Sequence, residues 1–167
     1  GSDAGHVRVY QYDASKTVAD TDQSSATFGP IGWNRLGADI DGELSSDSSG
    51  YSVSLSSDGT IVAIGAINND GNGNLSGHVR VFQYDGSSWN QLGGDMDGEE
   101  EKDRLGRSVS LSNDGTIVAI GADYNDGNGS DAGHVRVYQY DASKTVADTD
   151  QSSATFGPIG WNRLGAD

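Results

Sequence analysis

Two hydrophobic patterns alternate along the chain, and both recur. The runs SVSLS at 52–56 and 108–112 alternate apolar and polar positions. That spacing puts Val53 and Leu55 on one face of a strand and the serines on the other. A tight turn follows, Ser57-Asp58-Gly59 or Asn113-Asp114-Gly115, in which Asp-Gly suits a hairpin that needs positive φ. The run TIVAIGA, at 60–66 and 116–122, is continuously apolar and predicts a strand buried on both faces. A third strand is predicted at 77–84 (GHVRVFQY), again at 133–140 and near the chain start. A fourth is predicted at 89–93 (WNQLG), 33–37 and 161–165 (WNRLG). β-Branched and aromatic residues fill the runs, and Gly, Asn, Asp and Ser fill the gaps. No stretch has helical periodicity.

The registers of these copies agree by simple offsets. Ser52 and Ser108 lie 56 apart, as do His78 and His134; His6 and His78 lie 72 apart, as do Trp89 and Trp161. The difference of 16 is one insertion, DASKTVADTDQSSATF, which follows Tyr12 and Tyr140 but not Tyr84. Residues 1–39 are identical to residues 129–167. A four-stranded antiparallel unit of about 50 residues, apolar on both faces, is the pattern of a propeller blade. The fold class predicted is all-β, with about two and a half blades. Residues 1–49 give strands three and four of a blade plus a linker. Residues 50–105 give a complete short blade plus a linker, and 106–167 a complete long blade with the hairpin insertion.

The residues at the blade starts carry a family resemblance. Asp47-Ser-Ser-Gly50-Tyr51-Ser-Val53 and Asp103-Arg-Leu-Gly106-Arg107-Ser-Val109 resemble the "FG" half of an FG-GAP repeat. Val62-Ala-Ile-Gly65-Ala66 and Val118-Ala-Ile-Gly121-Ala122 resemble its "GAP" half, with Ile67 or Asp123 where Pro is usual. The resemblance covers nearly the whole chain outside the insertions. It implies the blades of the integrin α-type propeller and an extracellular or cell-surface setting. The family often carries a calcium loop, Asp-x-Asp/Asn-x-Asp-Gly, between its first two strands. Here only Ser57-Asp58-Gly59 and Asn113-Asp114-Gly115 stand there, too few oxygens for calcium, so that site is not carried over.

Too few blades to close a ring leave apolar faces that need a neighbour. Strands one and two of the last blade could pair with strands three and four of their own chain or with the same residues of another copy, the condition for strand exchange. A self-assembled ring, a filament, or a window of a longer array with a 128-residue period all satisfy the sequence.

Charge and composition narrow the function. The net charge of −15 makes nucleic acid and anionic membrane poor partners. Cysteine is absent, which excludes a disulfide scaffold and thiol chemistry. No apolar run approaches the length of a membrane span. Calcium is the one candidate cofactor. In the loop between strands two and three, Asn69, Asp70 and Asn72, and later Asn125, Asp126, Asn128 and Asp131, set oxygen-bearing side chains among glycines; they form either a cation loop or a turn built from residues that tolerate αL. The segments Asp39-Ile-Asp41-Gly-Glu43 and Asp95-Met-Asp97-Gly-Glu99 put two carboxylates on one strand face, read as a solvated edge ahead of a cation site.

One His, one Arg and one Trp recur per blade. His6, His78 and His134 read as structural; Arg8, Arg80 and Arg136 lie opposite the Val pairs and can meet a carboxylate between blades; Trp33, Trp89 and Trp161 pack between blades. Asn74 and Asn128 fit the glycosylation acceptor pattern. No nucleophile–base–acid set, phosphate loop or His pair at ligand spacing is visible, so no enzyme is expected. Three readings of function stand: a self-associating extracellular structural or adhesive repeat, a module that binds protein or glycan, or an engineered fragment that closes into a ring.

Overall fold

The computed structural model describes residues 4–165. Thirteen strands follow one another without a helix among the described residues. The first unit holds β1 (His6–Val7), β2 (Tyr10–Tyr12), β3 (Trp33–Arg35) and β4 (Ile40–Asp41). The second holds β5 (Ser49–Leu55), β6 (Ile61–Ala66), β7 (His78–Tyr84), β8 (Trp89–Gln91) and β9 (Met96–Asp97). The third holds β10 (Ser108–Leu111), β11 (Ile117–Ala122), β12 (His134–Tyr140) and β13 (Trp161–Arg163).

Two complete antiparallel blades result, in the orders β5-β6-β7-β8 and β10-β11-β12-β13. The two Ser-Val-Ser-Leu runs therefore lie in separate sheets. The segments read as linkers are more than linkers. Each opens on a two-residue strand that pairs with the start of strand three, His6↔Asp41 in one unit and His78↔Asp97 in the next. The apolar residue of each, Ile40 or Met96, turns into the core, and the flanking carboxylates cannot follow it.

Alternation along β6 and β7 sends side chains to both faces of the middle blade. Val62, Ile64 and Phe82 pack with Ile40 towards the first unit, while Ile61, Ala63, Val79 and Val81 pack with Val118, Ile120, Tyr138 and Trp161 of the third. All six residues of β6 are buried, as its unbroken apolar run requires. The serines of β5 do not face water. Ser52 Oγ donates to Gly106 O at 2.7 Å, and Ser54 Oγ accepts from Leu111 N at 3.0 Å, so strand one of each blade is tied to strand one of the next. This seam explains the paired glycines of the repeat. A Cβ on Gly65 would lie 2.2 Å from Gly106 O, and Gly106 itself sits at φ +92°.

The first unit lacks strands one and two among the described residues. Its strand three splits into β1 and β2, whereas the same residues form one seven-residue strand, β12, where β11 supplies a partner. Val53 and Leu55 are 53% and 48% exposed, while their counterparts Val109 and Leu111 pack on the core between the second and third blades.

Candidate functional site

The seams between units hold the side chains that recur. Trp161 is fully buried, lies edge-on to Tyr140 at 5.3 Å, and donates its indole N–H to Leu92 O of the preceding blade at 2.9 Å. Trp89 makes the same bond to Leu36 O at 2.7 Å. A glycine follows each acceptor because the indole comes so close. A Cβ on Gly93 would stand 2.5 Å from Trp161 Nε1. Trp33 has the same local sequence as Trp161 but is 43% exposed. Its indole has no hydrogen bond among the described residues.

The arginines face the same seams. Arg80 is buried, donates to Asp41 O at 2.8 Å and reaches Glu43 Oε1 at 3.5 Å. Arg136 is likewise buried and pairs with Glu99, the residue that corresponds to Glu43. Arg8 makes two bonds to Asp39, at 2.8 and 2.7 Å. Those bonds raise the Arg8 guanidinium above its ordinary range and hold the Asp39 carboxyl below its own.

The histidines differ by unit. His6 is exposed, His134 is half-buried, and His78 is fully buried. Burial pushes the His78 imidazole below its usual pKa, against an opposing pull from Asp95. One donor atom each of Glu43, His78 and Asp95 lies within 4.8 Å of the other two. Asp97 stands beside this group. It keeps an accessible edge, yet the protein around it and then the Asp95 and Glu43 carboxylates push its pKa up to about 6.

The strand two–three loops are held by their own side chains. Asn69 Oδ1 accepts from Gly71 N at 2.8 Å, and Asp70 Oδ1 from Leu75 N at 2.7 Å. Asn72 donates to Gly98 O and Glu99 O. The later loop repeats this, Asn125 Oδ1 with Gly127 N and Asp126 Oδ1 with Asp131 N. The oxygens thus point at backbone N–H groups, not at a common centre. Asn128 and Asp131 are exposed, as is Asn74, so both glycosylation acceptors lie at the surface.

Two buried residues escaped the reading of the sequence as site residues. Asp47 and Asp103, both 3% exposed, each clamp a strand two–three loop onto the preceding segment. Asp47 accepts from Leu44 N and Asn69 Nδ2; Asp103 accepts from Glu99 N, Glu100 N and Asn125 Nδ2. The signal was present as an acidic residue 22 positions before each asparagine, in both copies. The insertion is also built rather than loose. Lys144 Nζ bonds Trp161 O at 2.7 Å, Asp148 pairs with Gly157, and Arg163 stacks on Phe156 at 4.6 Å.

The family model described as FG-GAP repeat matches residues 39–82 and 96–138, just over half of the chain. The chain belongs to the FG-GAP repeat family. Each match begins at or next to the Asp-x-Asp-Gly-Glu segment, so the carboxylates on the linkers are part of the repeat. A comparison with curated proteins finds no match. FG-GAP propeller repeats are generally non-enzymatic and are typical of extracellular and surface proteins. No helix among the described residues is long and apolar enough to cross a membrane.

Proposed function

We propose that this chain is a non-enzymatic structural or adhesive repeat, extracellular or at the cell surface, that associates with copies of itself by completing its first blade. The observation that carries the proposal is the pairing of one sequence with two environments. Residues 6–12 have the sequence of 134–140, which β11 covers, yet no strand covers their own outer edge among the described residues. A second copy's β10 and β11 fit that edge because they already bind the same residues; to reach it they exchange their own β12 and β13 for residues 6–12 and 33–35 of the partner chain. The same step would place Ile117 and Ala119 of that copy against Val53 and Leu55, and its Leu92 O beside the Trp33 indole. It would also give Arg8 the glutamate, Glu99, that Arg136 uses in the isolated chain. One strand exchange therefore covers the edge, the indole and the guanidinium of the first unit in place of those of the copy's third blade, and covers the Val53 and Leu55 face in addition.

Mass in solution tests this. The chain is expected to run above its 17.4 kDa monomer mass at micromolar concentration and to dissociate on dilution. Leu55→Asp, on a position half exposed in the isolated chain, is expected to fold and stay monomeric. A parent chain that remains a folded monomer at high concentration would overturn the proposal.

A ligand-binding role is favoured by one feature. A cleft of about 350 Å³ opens between the second and third blades, lined among others by Asn72, Asp97, Arg136, Gln151 and Phe156. Its aromatic ring, cation and carboxylates suit a polar ligand such as a glycan, and glycan-array binding lost on Phe156→Ala would support that role.

A further inference from the structure

The cluster at the seam of the first and second units has the composition of a metal site. Its members come from three places: Glu43 just after β4, His78 at the start of β7 and Asp95 just before β9. The pairing of β9 with β7 holds Asp95 beside His78, and the close of the preceding unit brings Glu43 over both. The second observation is His78 itself. Its side chain is 1% exposed, so the ring is largely shut off from water. A buried imidazole calls for a partner, since each ring nitrogen is either a donor or an acceptor. It is also turned to within 4.8 Å of two carboxylate oxygens. Asp97 adds a carboxylate beside the group, and the nearby cation Arg80 is engaged with Asp41 O and Glu43.

We propose that Glu43, His78 and Asp95 bind a divalent first-row transition metal, of which zinc is the representative, across the seam between successive units. One imidazole nitrogen and two carboxylate oxygens are a borderline donor set that suits zinc and its neighbours, with water completing the shell. Calcium takes all-oxygen sets and is not expected here. Zinc-to-donor distances of about 2.0–2.2 Å bring tetrahedral donors about 3.4 Å apart, so the group must contract on binding. Glu43 can supply that movement: its side chain is 42% exposed and is held to Arg80 only at 3.5 Å. Bound metal would fasten the segment after β4 to β7 and β9, and so stiffen one unit against the next. The spacing recurs as Glu99 and His134, where the corresponding carboxylate is Asp167, outside the described residues. The histidine and aspartate positions also recur as His6 and Asp39.

The whole chain, stripped with a chelator, is titrated with zinc chloride by calorimetry, and its melting temperature is followed. Zinc is expected to give heat and raise the melting temperature; calcium is expected to do neither. Because removing even an outer partner of a metal ligand costs about 10–100-fold in affinity, Glu43→Gln and Asp95→Asn should each lose at least about tenfold. His78→Asn should lose more. The exposed neighbour Glu100→Gln should bind as the parent does. Should His78→Asn fail to fold, the two carboxylate variants decide. No heat with the parent, calcium binding as strong as zinc, or parent-like zinc affinity in both Glu43→Gln and Asp95→Asn would overturn the site. All three ligands lie in one chain, so the result does not depend on self-association.

Discussion

Trp33 and Trp161 form an internal experiment. They share their local sequence, and therefore their unfolded-state environment to a good approximation, but differ in burial. Truncating a buried Trp to Ala costs about 3–5 kcal/mol. Trp161 qualifies in full, since it is 0% exposed and its indole bond to Leu92 O would be lost as well. Trp33 keeps only a little more than half of that burial and forms no comparable bond; scaling the same figure and removing about 1 kcal/mol for the bond leaves about 1–2 kcal/mol. The two substitutions should thus differ by about 2–3 kcal/mol. Urea denaturation of Trp33→Ala and Trp161→Ala, followed by circular dichroism at a concentration where the protein is monomeric, measures this. Repeating it where the chain is associated should raise the cost of Trp33→Ala, as the second copy covers the ring. Equal losses in the monomer would refute the seam geometry. An unchanged difference on association would instead refute completion of the first blade.

Two further predictions are more local. Gly93→Ala and Gly86→Ala both force a side chain onto a positive φ, +79° and +99°, but only at Gly93 does the new Cβ meet a neighbour, Trp161 Nε1 at 2.5 Å; a thermal melt should show Gly93→Ala losing at least about 1 kcal/mol more than Gly86→Ala. The turn carboxylates make the fold acid-sensitive. Thr60 N, then the hydroxyls of Ser56 and Thr60, hold Asp58 at about 2, and the hydroxyls of Ser153 and Thr155 hold Asp148 there as well. A carboxyl lowered by folding stabilises the native state above its unfolded pKa of 3.8, and that contribution is lost as pH falls towards 2. Carbon-detected NMR titration should place the Asp58 midpoint near 2; a midpoint at 3.8 would show that the turn bonds do not form in solution.

Much of the blade was legible because period is a local property. The alternation of Ser52 to Ser56 and the unbroken run of Ile61 to Ala66 named strands one and two, and both appear where the pattern puts them. The subtraction of offsets separated the copies without any structural knowledge. What escaped were features set by contacts between units. β4 and β9 are two residues long, too short to show a period, and exist only because strand three offers them a free edge. The clamp roles of Asp47 and Asp103 depend on asparagines 22 residues away. The metal-like cluster was least legible of all. Its histidine reads as structural from its neighbours, and its carboxylates read as a solvated edge, because Glu43, His78 and Asp95 are up to 52 residues apart and meet only when one unit closes on the next.

The serines of strand one show why a blade of this kind resists standing alone. In an ordinary half-exposed strand the polar alternates face water and the apolar ones face the core. Here Ser52 and Ser54 are committed to the backbone of the following blade, and on the opposite face of strand one Val109 and Leu111 pack against the preceding blade, while their counterparts Val53 and Leu55 stay about half exposed. With a blade on each side, neither face is a solvent face. A strand with neither face left for water imposes a polarity on the array: each blade offers apolar side chains backwards and hydroxyls forwards. Stability then resides in the junctions rather than in the blades, as expected for repeats that contact only their neighbours. It follows that ends are the weak points, and that any device fastening one junction is worth more than the same device inside a blade. The recurring Arg–Glu pair, the Trp bond across each seam, and the group of Glu43, His78 and Asp95 are all placed at junctions, where that reasoning puts the greatest return.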